Sequence, residues 1–424
     1  MKMKLKSLNL LRFFVTLFFV GVIVFPGWTS AAERIETAKI GACAPLTGPA
    51  ATWGQTALDA IQIWAEDVNS KGGIKTGNKR ILIEVIPADN KAMPSAAMTA
   101  ARKLILKDKV VFIASFLMGD VIAPFCNKHK VLQGTIIARN IRKNLPYTIA
   151  MGNGDPDFQA FTQAWVMEDL YPNAKRVALT SQNDKDGDLW RAMYRGSTKT
   201  AGGKIVYDKP FSLDTMDFAP VVAAMLASKP DLLCWGGTYP AFTTLLSEQA
   251  RIQGFRGPIT TSSWDLRAVK AKVGVEGVEG YSSCWPDWND PMYPDRAHYW
   301  FDKFAKKRGA QQWQGAGAIF FDMAYYWQQA VEMAGTTDPT AVRDVLLSGK
   351  ELLSNENGPA SNWYGQELYG CNHYILPKKW GMMVVHNGKR IGQGYYNLEK
   401  WAAKYTPGYV KELKAAGLMY YQRK

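Results

Sequence analysis

The chain has 424 residues, with 51 Lys or Arg against 37 Asp or Glu and a formal net charge of +14. The basic residues are dispersed. Lys306-Lys307-Arg308 and Lys378-Lys379 are short clusters beside acidic or aromatic residues, not a stripe that tracks phosphates, so nucleic-acid binding is disfavoured and a solvated surface explains the charge.

At the start of the chain, Lys2, Lys4, Lys6 and Arg12 form a positive segment ahead of an almost purely apolar run over 13–25. Thr29-Ser30-Ala31-Ala32 then offers small residues for cleavage, so the expectation is an export signal over 1–32, removed after Ala32. The run is too short for a membrane span, which needs ~20 apolar residues. No cysteine stands at the cleavage point, so a lipid anchor is not indicated. Cleavage would leave 392 residues of the 424 and lower the net charge from +14 to +10. That length suggests two lobes outside the cytoplasm. Five widely spaced cysteines remain, Cys43, Cys126, Cys234, Cys284 and Cys371, which fit no metal motif and leave at least one unpaired. The compartment permits a disulfide, with Cys284–Cys371 the first pair to consider; buried free thiols are the competing reading.

The stretch 39–74, KIGACAPLTGPAATWGQTALDAIQIWAEDVNSKGGI, reads as strand, turn-rich loop and amphipathic helix. Pro45, Gly48, Pro49 and Gly54 break the first run. Ala57, Ala60, Ile61, Trp64 and Val68 then recur at helical spacing until Gly72-Gly73 stops the helix. Such a loop sets free backbone N–H groups and a positive helix end over a crevice. An ordinary first βα unit explains these residues equally well. Strand-like runs follow at 80–86, 110–115, 131–137, 176–181, 204–206, 232–235 and 259–261. Helical patterns at 94–107, 120–128, 158–170, 189–201, 218–227 and 242–253 separate them. This alternation predicts parallel sheets wound by right-handed crossovers, divided between two doubly wound lobes. Helices are expected at 294–309 and 315–335, then an irregular part over 354–374. One or two helices broken at Pro407-Gly408 close the chain.

Catalytic and metal motifs are weak. GxSxG is absent, and Gly152-Asn153-Gly154 lacks the third glycine of a dinucleotide fingerprint. Asn183-Asp184-Lys185-Asp186-Gly187-Asp188 opens like a calcium loop, but Arg195 stands where the bidentate glutamate belongs. His129, His298, His373 and His386 are scattered, and no metal or cofactor is expected. His373 reads as a hydrogen-bonded structural residue.

An ordered set of segments gives the chain a sharper likeness. IGACAPLTGPAATWG, VNSKGGI, ILIEVIPADN, PSAAMTAARKLI, VVFIASFLMGDVIAPFCNKHKV, CWGGTYPA and VHNGK occur in sequence over most of the region beyond the leader. In them the chain resembles periplasmic solute-binding proteins of the leucine/isoleucine/valine-binding family that serve ABC transporters. The resemblance implies an α/β fold of the type I periplasmic binding protein class: two Rossmann-like lobes with parallel sheets, joined by three hinge crossovers near Gly152, Gly280–Ser283 and His373–Lys378. It implies an N-terminal lobe of 33–151 and 283–374, and a C-terminal lobe of 152–282 and 375–424. The partners it implies are a small solute, an amino acid or related carboxylate or amide, and a membrane permease.

The same resemblance implies ligand contacts residue by residue. Trp53 stands where the family has an aromatic covering the ligand, with core packing as the alternative. Leu117, Met118 and Gly119 match the loop that offers backbone N–H groups to a carboxylate. The family's serine is missing there unless Ser115 serves. Ala138 and Arg139 match the next loop, where arginine replaces threonine. Arg139 would grip a carboxylate bidentately, or else face solvent beside Arg142 and Lys143. In the second lobe Asp186, Thr238 and Tyr239 match ligand loops. The family's ammonium-pairing acid falls near Ser263–Asp265, so Asp265 or Asp186 is the candidate. Phe116, Trp264 and Trp285 add aromatic surface, which suggests a flat or apolar ligand body. The competing readings are a ligand sensor of the same fold and a secreted α/β hydrolase.

Overall fold

The computed structural model describes residues 33–152, 156–261, 264–284 and 287–419. Residues 1–32, where the export signal is expected, Asn153-Gly154, Ser263 and Trp285 lie outside them. The chain makes four passes between two sheets. The first pass lays down β1 (Arg34–Ala44), α1 (Ala51–Ser70), β2 (Ile74–Thr76), β3 (Lys79–Asp89), α2 (Pro94–Arg102), β4 (Phe112–Ser115), α3 (Gly119–Lys128), β5 (Leu132–Thr135) and β6 (Thr148–Met151). The second runs through α4 (Pro156–Trp165), β7 (Arg176–Leu179), α5 (Lys185–Thr200), β8 (Lys204–Asp208), α6 (Ala219–Ala227), β9 (Leu232–Cys234), α7 (Pro240–Ile252), β10 (Ile259–Thr260), α8 (Leu266–Gly277) and β11 (Ser282–Ser283). The third returns to the first lobe with α9 (Asp295–Arg308), α10 (Gly315–Ala318), α11 (Phe320–Ala334), α12 (Pro339–Leu346), β12 (Leu352–Ser354), β13 (Gly358–Ser361), α13 (Gln366–Tyr369) and β14 (Tyr374–Pro377). The last adds β15 (Lys379–His386), β16 (Lys389–Asn397) and α14 (Leu398–Ala415) to the second lobe.

The nine-stranded first sheet has the order β12-β13-β14-β6-β5-β4-β1-β3-β2, and the seven-stranded second sheet β16-β15-β11-β10-β9-β7-β8. Both cores are parallel, with antiparallel strands added at the edges. The alternating pattern in the sequence therefore yields the doubly wound α/β architecture it calls for. Sheet membership changes after β6, after β11 and at Lys378, between β14 and β15. The boundaries expected at 282/283 and 374/375 fall inside β11 and β14.

Helix α1 buries Trp53, Ala57, Ala60, Ile61, Trp64 and Val68 and ends at Ser70, after which the Gly73 N–H returns to the Val68 carbonyl. Trp64 meets Trp327 of α11 edge-on, and Phe112 of β4 stacks on the Trp327 indole, so α1 and α11 are fastened to β4. Two expectations need correction. The C-terminal helix α14 runs through Pro407 without a break. Its Gly408 lies against Gly196 of α5, so close that a Cβ on Gly196 would stand 2.9 Å from the Gly408 backbone. The helix is thus packed closely at the point where local propensity would end it. The part over 354–374 is also more regular than expected, since β13 and α13 lie in it. All five cysteines are buried and free. Cys284 follows β11 of the second lobe, while Cys371 precedes β14 of the first, so the Cys284–Cys371 bridge is not made.

Gly237 shows how tightly the second lobe is packed at its upper end. Its φ is +76°, and an added Cβ would lie 0.5 Å from the Trp190 ring. Gly254, at φ +87°, has open space around it. We expect Gly237→Ala to cost about 3 kcal/mol or more through overpacking and backbone strain. Gly254→Ala should cost only about 1 kcal/mol, from strain alone. Equilibrium urea unfolding of the two variants checks the difference.

Candidate ligand-binding cleft

In a doubly wound sheet the crevice for a ligand opens beyond the carboxyl ends of the strands, where the winding reverses. In the first sheet that point lies between β1 and β4, and in the second between β7 and β9. The loops and helix starts that follow these four strands carry Trp53 and Phe116–Met118 from one lobe, and Asp184, Asp186 and Gly237–Tyr239 from the other.

They meet. Trp53, 3% exposed, stacks on Phe116 with centroids 5.9 Å apart and planes at 19°. Its other neighbour is Tyr239 of the second lobe, met edge-on at 5.9 Å and 85°. Leu117 and Met118 both take left-handed backbone conformations, φ 57° and 50°. For non-glycine residues each costs on the order of 1–2 kcal/mol, and such strain gathers at functional loops. This double turn starts α3 at Gly119, directly against the side chain of Asn140. It thereby brings α3 beside the short 3₁₀ turn Ala138–Asn140.

Arg139 projects from that turn across the lobe boundary. Its side chain is 2% exposed and forms an ion pair with Asp186, while Asp120 of α3 stands 3.8 Å away. The outward orientation beside Arg142 and Lys143 is thus replaced by a buried one. Asp186 lies in the first turn of α5, where the helix dipole favours a carboxylate. Asp184 caps the same helix: it accepts from the Gly187 N–H at 2.7 Å and from the Tyr239 hydroxyl at 3.1 Å. Burial pushes the Asp186 carboxyl up to about 6, with the Arg139 charge pulling the other way. Asp184 is also raised by burial, against its Gly187 and Tyr239 hydrogen bonds. Burial and the two carboxylates hold the Tyr239 phenol well above its ordinary range, so it remains a donor.

The side chains expected at the site separate as follows. Trp53, Leu117, Met118, Gly119, Arg139, Asp186, Thr238 and Tyr239 belong to loops and turns that converge on the lobe boundary. Ala138 is wholly buried in the 3₁₀ turn and presents only backbone, its carbonyl accepting from Ile141. Asp265 serves as the N-cap of α8, accepting from the Ala268 N–H at 3.0 Å. Trp264 packs within the second lobe, 4.8 Å from the Tyr281 ring and under Arg390. Thr238 is fully buried, and neither its Oγ1 nor the Trp53 Nε1 has a partner among the described residues. Asp120 and Asp184 were not anticipated as part of the cleft. An aspartate just before a helical run was the available signal for Asp184 as a cap.

The profile of the family described as "Periplasmic binding protein" matches residues 37–363, and the chain belongs to that family. It is 23% identical over 237 residues to a leucine-specific-binding protein of Salmonella typhimurium, an alignment covering 54% of this chain and 61% of the relative. The chain thus spans about three-fifths of that curated relative's length. Among solved structures, a leucine-binding protein from Thermotoga maritima superposes with a TM-score of 0.68 at 21% identity, over 86% of this chain and 99% of that one. A solute-binding protein of an ABC transporter from Rhodopseudomonas palustris, in complex with 3,4-dihydroxybenzoic acid, gives 0.69 at 19% identity, over 85% and 97%. The fold is therefore that of the type I periplasmic binding proteins.

The raised Asp186 carboxyl fixes the sign of a pH effect. A group lifted from 3.8 to about 6 by folding stabilises the native state below pH ~4 and loses that contribution as the pH rises through ~6. Urea unfolding between pH 4 and 7 should show wild type losing stability relative to Asp186→Asn across that window and running parallel to it above. Arg139→Ala leaves Asp186 buried without its partner. It is expected to cost about 3 kcal/mol, or to part the lobes, which X-ray scattering reads as a larger radius of gyration.

Proposed function

We propose that the protein is the extracytoplasmic substrate-binding component of an ABC transporter. It would capture an amino acid or related small carboxylate or amide between its lobes and present it to a membrane permease. The observation that carries this reading is the meeting of the two switch-point loop sets, through Trp53 on Tyr239 and Arg139 on Asp186. A pair of lobes hinged on three crossovers traps a solute by closing over it. Support comes also from the relatives, one named for leucine and one solved with a dihydroxybenzoate.

The export signal over 1–32 fits a periplasmic destination. No helix among the described residues is long and apolar enough to cross a membrane. Binding without chemistry is the preferred reading. The buried thiols are poor nucleophiles, Cys43 being pushed up to about 12 by burial. Thr238 has no basic partner among the described residues, and the carboxylates of the cleft are engaged with Arg139, Gly187 and Tyr239. A sensor that delivers the same solute to a receptor shares all these features. Genomic neighbourhood with permease and ATPase genes distinguishes the two.

The test is a thermal-shift screen of the protein lacking residues 1–32 against amino acids, aromatic acids, amides and urea-like solutes. A binder at a hundredfold excess over its Kd adds about 2.7 kcal/mol and raises Tm by a few degrees. Turnover of an ester or peptide, with no shift by any solute, would overturn the reading.

A further inference from the structure

Resting on the binding-protein reading, we infer that the solute's recognised end is a small carboxamide, with N–H donors and a carbonyl and without a free carboxylate. Three carboxylates, Asp120, Asp184 and Asp186, surround the single guanidinium of Arg139. With all four ionised, these described groups together carry two negative charges in excess. Arg139 is already committed: it holds Asp186 in a buried ion pair across the boundary, with Asp120 beside it. A solute carboxylate would have to share the guanidinium with Asp186 and lie beside it and Asp120. Crowding a further like charge into a buried site is costly, because each desolvated charge needs its own compensation.

The unpaired polar atoms point the same way. The Trp53 Nε1–H and the Thr238 hydroxyl are buried at the meeting of the lobes without partners among the described residues. An indole N–H can only donate, so it requires an acceptor from the solute. The carboxylates can only accept, so they require donors. A primary amide supplies both from three adjacent atoms and carries no charge: its carbonyl faces the indole, and its NH2 faces Asp184 and Asp186. The body of the solute would lie against Trp53, Phe116 and Tyr239, whose rings stack or meet edge-on. Arg139 is on this account a positioning residue, holding Asp186 in place and closing the lobes. It is not a clamp for the ligand's own carboxylate.

Isothermal titration with two matched series tests the inference: leucinamide, leucine and 4-methylpentanoate, and benzamide, benzylamine and benzoate. In at least one series the amide should bind at least tenfold tighter than the carboxylate and, for the first series, than the zwitterion. Asp186→Asn should weaken the amide at least tenfold, because one acceptor oxygen is replaced by an NH2 donor and the negative charge is lost. Because the ranking is measured on wild type, a variant that fails to fold does not rescue the idea. If benzoate, 4-methylpentanoate or leucine binds as tightly as its amide or tighter, and Arg139→Ala abolishes that binding, Arg139 is a carboxylate clamp and the inference falls. Benzylamine bound more tightly than benzamide overturns the carbonyl requirement. If none of the six binds, the solute found by the thermal-shift screen decides: an uncompensated carboxylate on it sinks the inference, and an amide or urea group supports it. No binder in either experiment defeats the binding-protein reading itself, a separate and recognisable outcome.

Discussion

A guanidinium and a carboxylate, both removed from water, join the two lobes through Arg139 and Asp186. Each charge alone would cost several kcal/mol to bury. The pair is tolerable only when the lobes are together and the geometry is held from both sides. On the first lobe the hold comes from the 3₁₀ turn Ala138–Asn140 and from α3, whose start depends on the left-handed pair Leu117–Met118. On the second it comes from Asp184, which caps α5 and so fixes where Asp186 emerges. The same Asp184 takes the Tyr239 hydroxyl, which brings that ring to the edge of Trp53. One electrostatic constraint thus organises capping, loop strain and aromatic packing within a few residues of each strand end.

The arrangement suits reversible capture. The edge-on aromatic contact across the boundary constrains ring orientation loosely, while the ion pair adds a charge-assisted contact that is strong only in the closed geometry. On the proposed function, a solute's apolar part would meet the rings and its polar part the carboxylate acceptors.

Much of the architecture was legible in the sequence, and the exceptions have identifiable causes. The run KIGACA and the period of Ala57, Ala60, Ile61, Trp64 and Val68 announce β1 and α1 because the C-terminal half of the strand is buried and one helix face meets a sheet. Strands β12 and β13 escaped notice because Leu352–Ser354 and Gly358–Ser361 are too short to show a period. The β15–β16 hairpin did carry a signal, the Asn387-Gly388 turn with both φ values positive, inside a segment read only for its family likeness. Asp265 has the residue type of a ligand contact and the position of a helix cap, and local hydrogen bonding wins. Arg139 marked itself by departing from the family's threonine, but its partner could not be read. No periodicity connects a 3₁₀ turn in one lobe with the first turn of a helix in the other.

The weaving of the chain between sheets bears on how the molecule is made. Strand β6 pairs on one side with β5, laid down just before it, and on the other with β14, through Tyr374 opposite Ala150. Strand β11 likewise waits for β15, through Ser282 opposite Val384. Until the final quarter of the chain is available, each half therefore presents a raw sheet edge, the kind of surface that recruits unwanted strands. Such long-range pairings also form slowly. A chain threaded N-terminus first into an oxidising compartment would pass through that interval with five free thiols, and would complete both halves almost simultaneously, when the hairpin ending at Asn397 arrives.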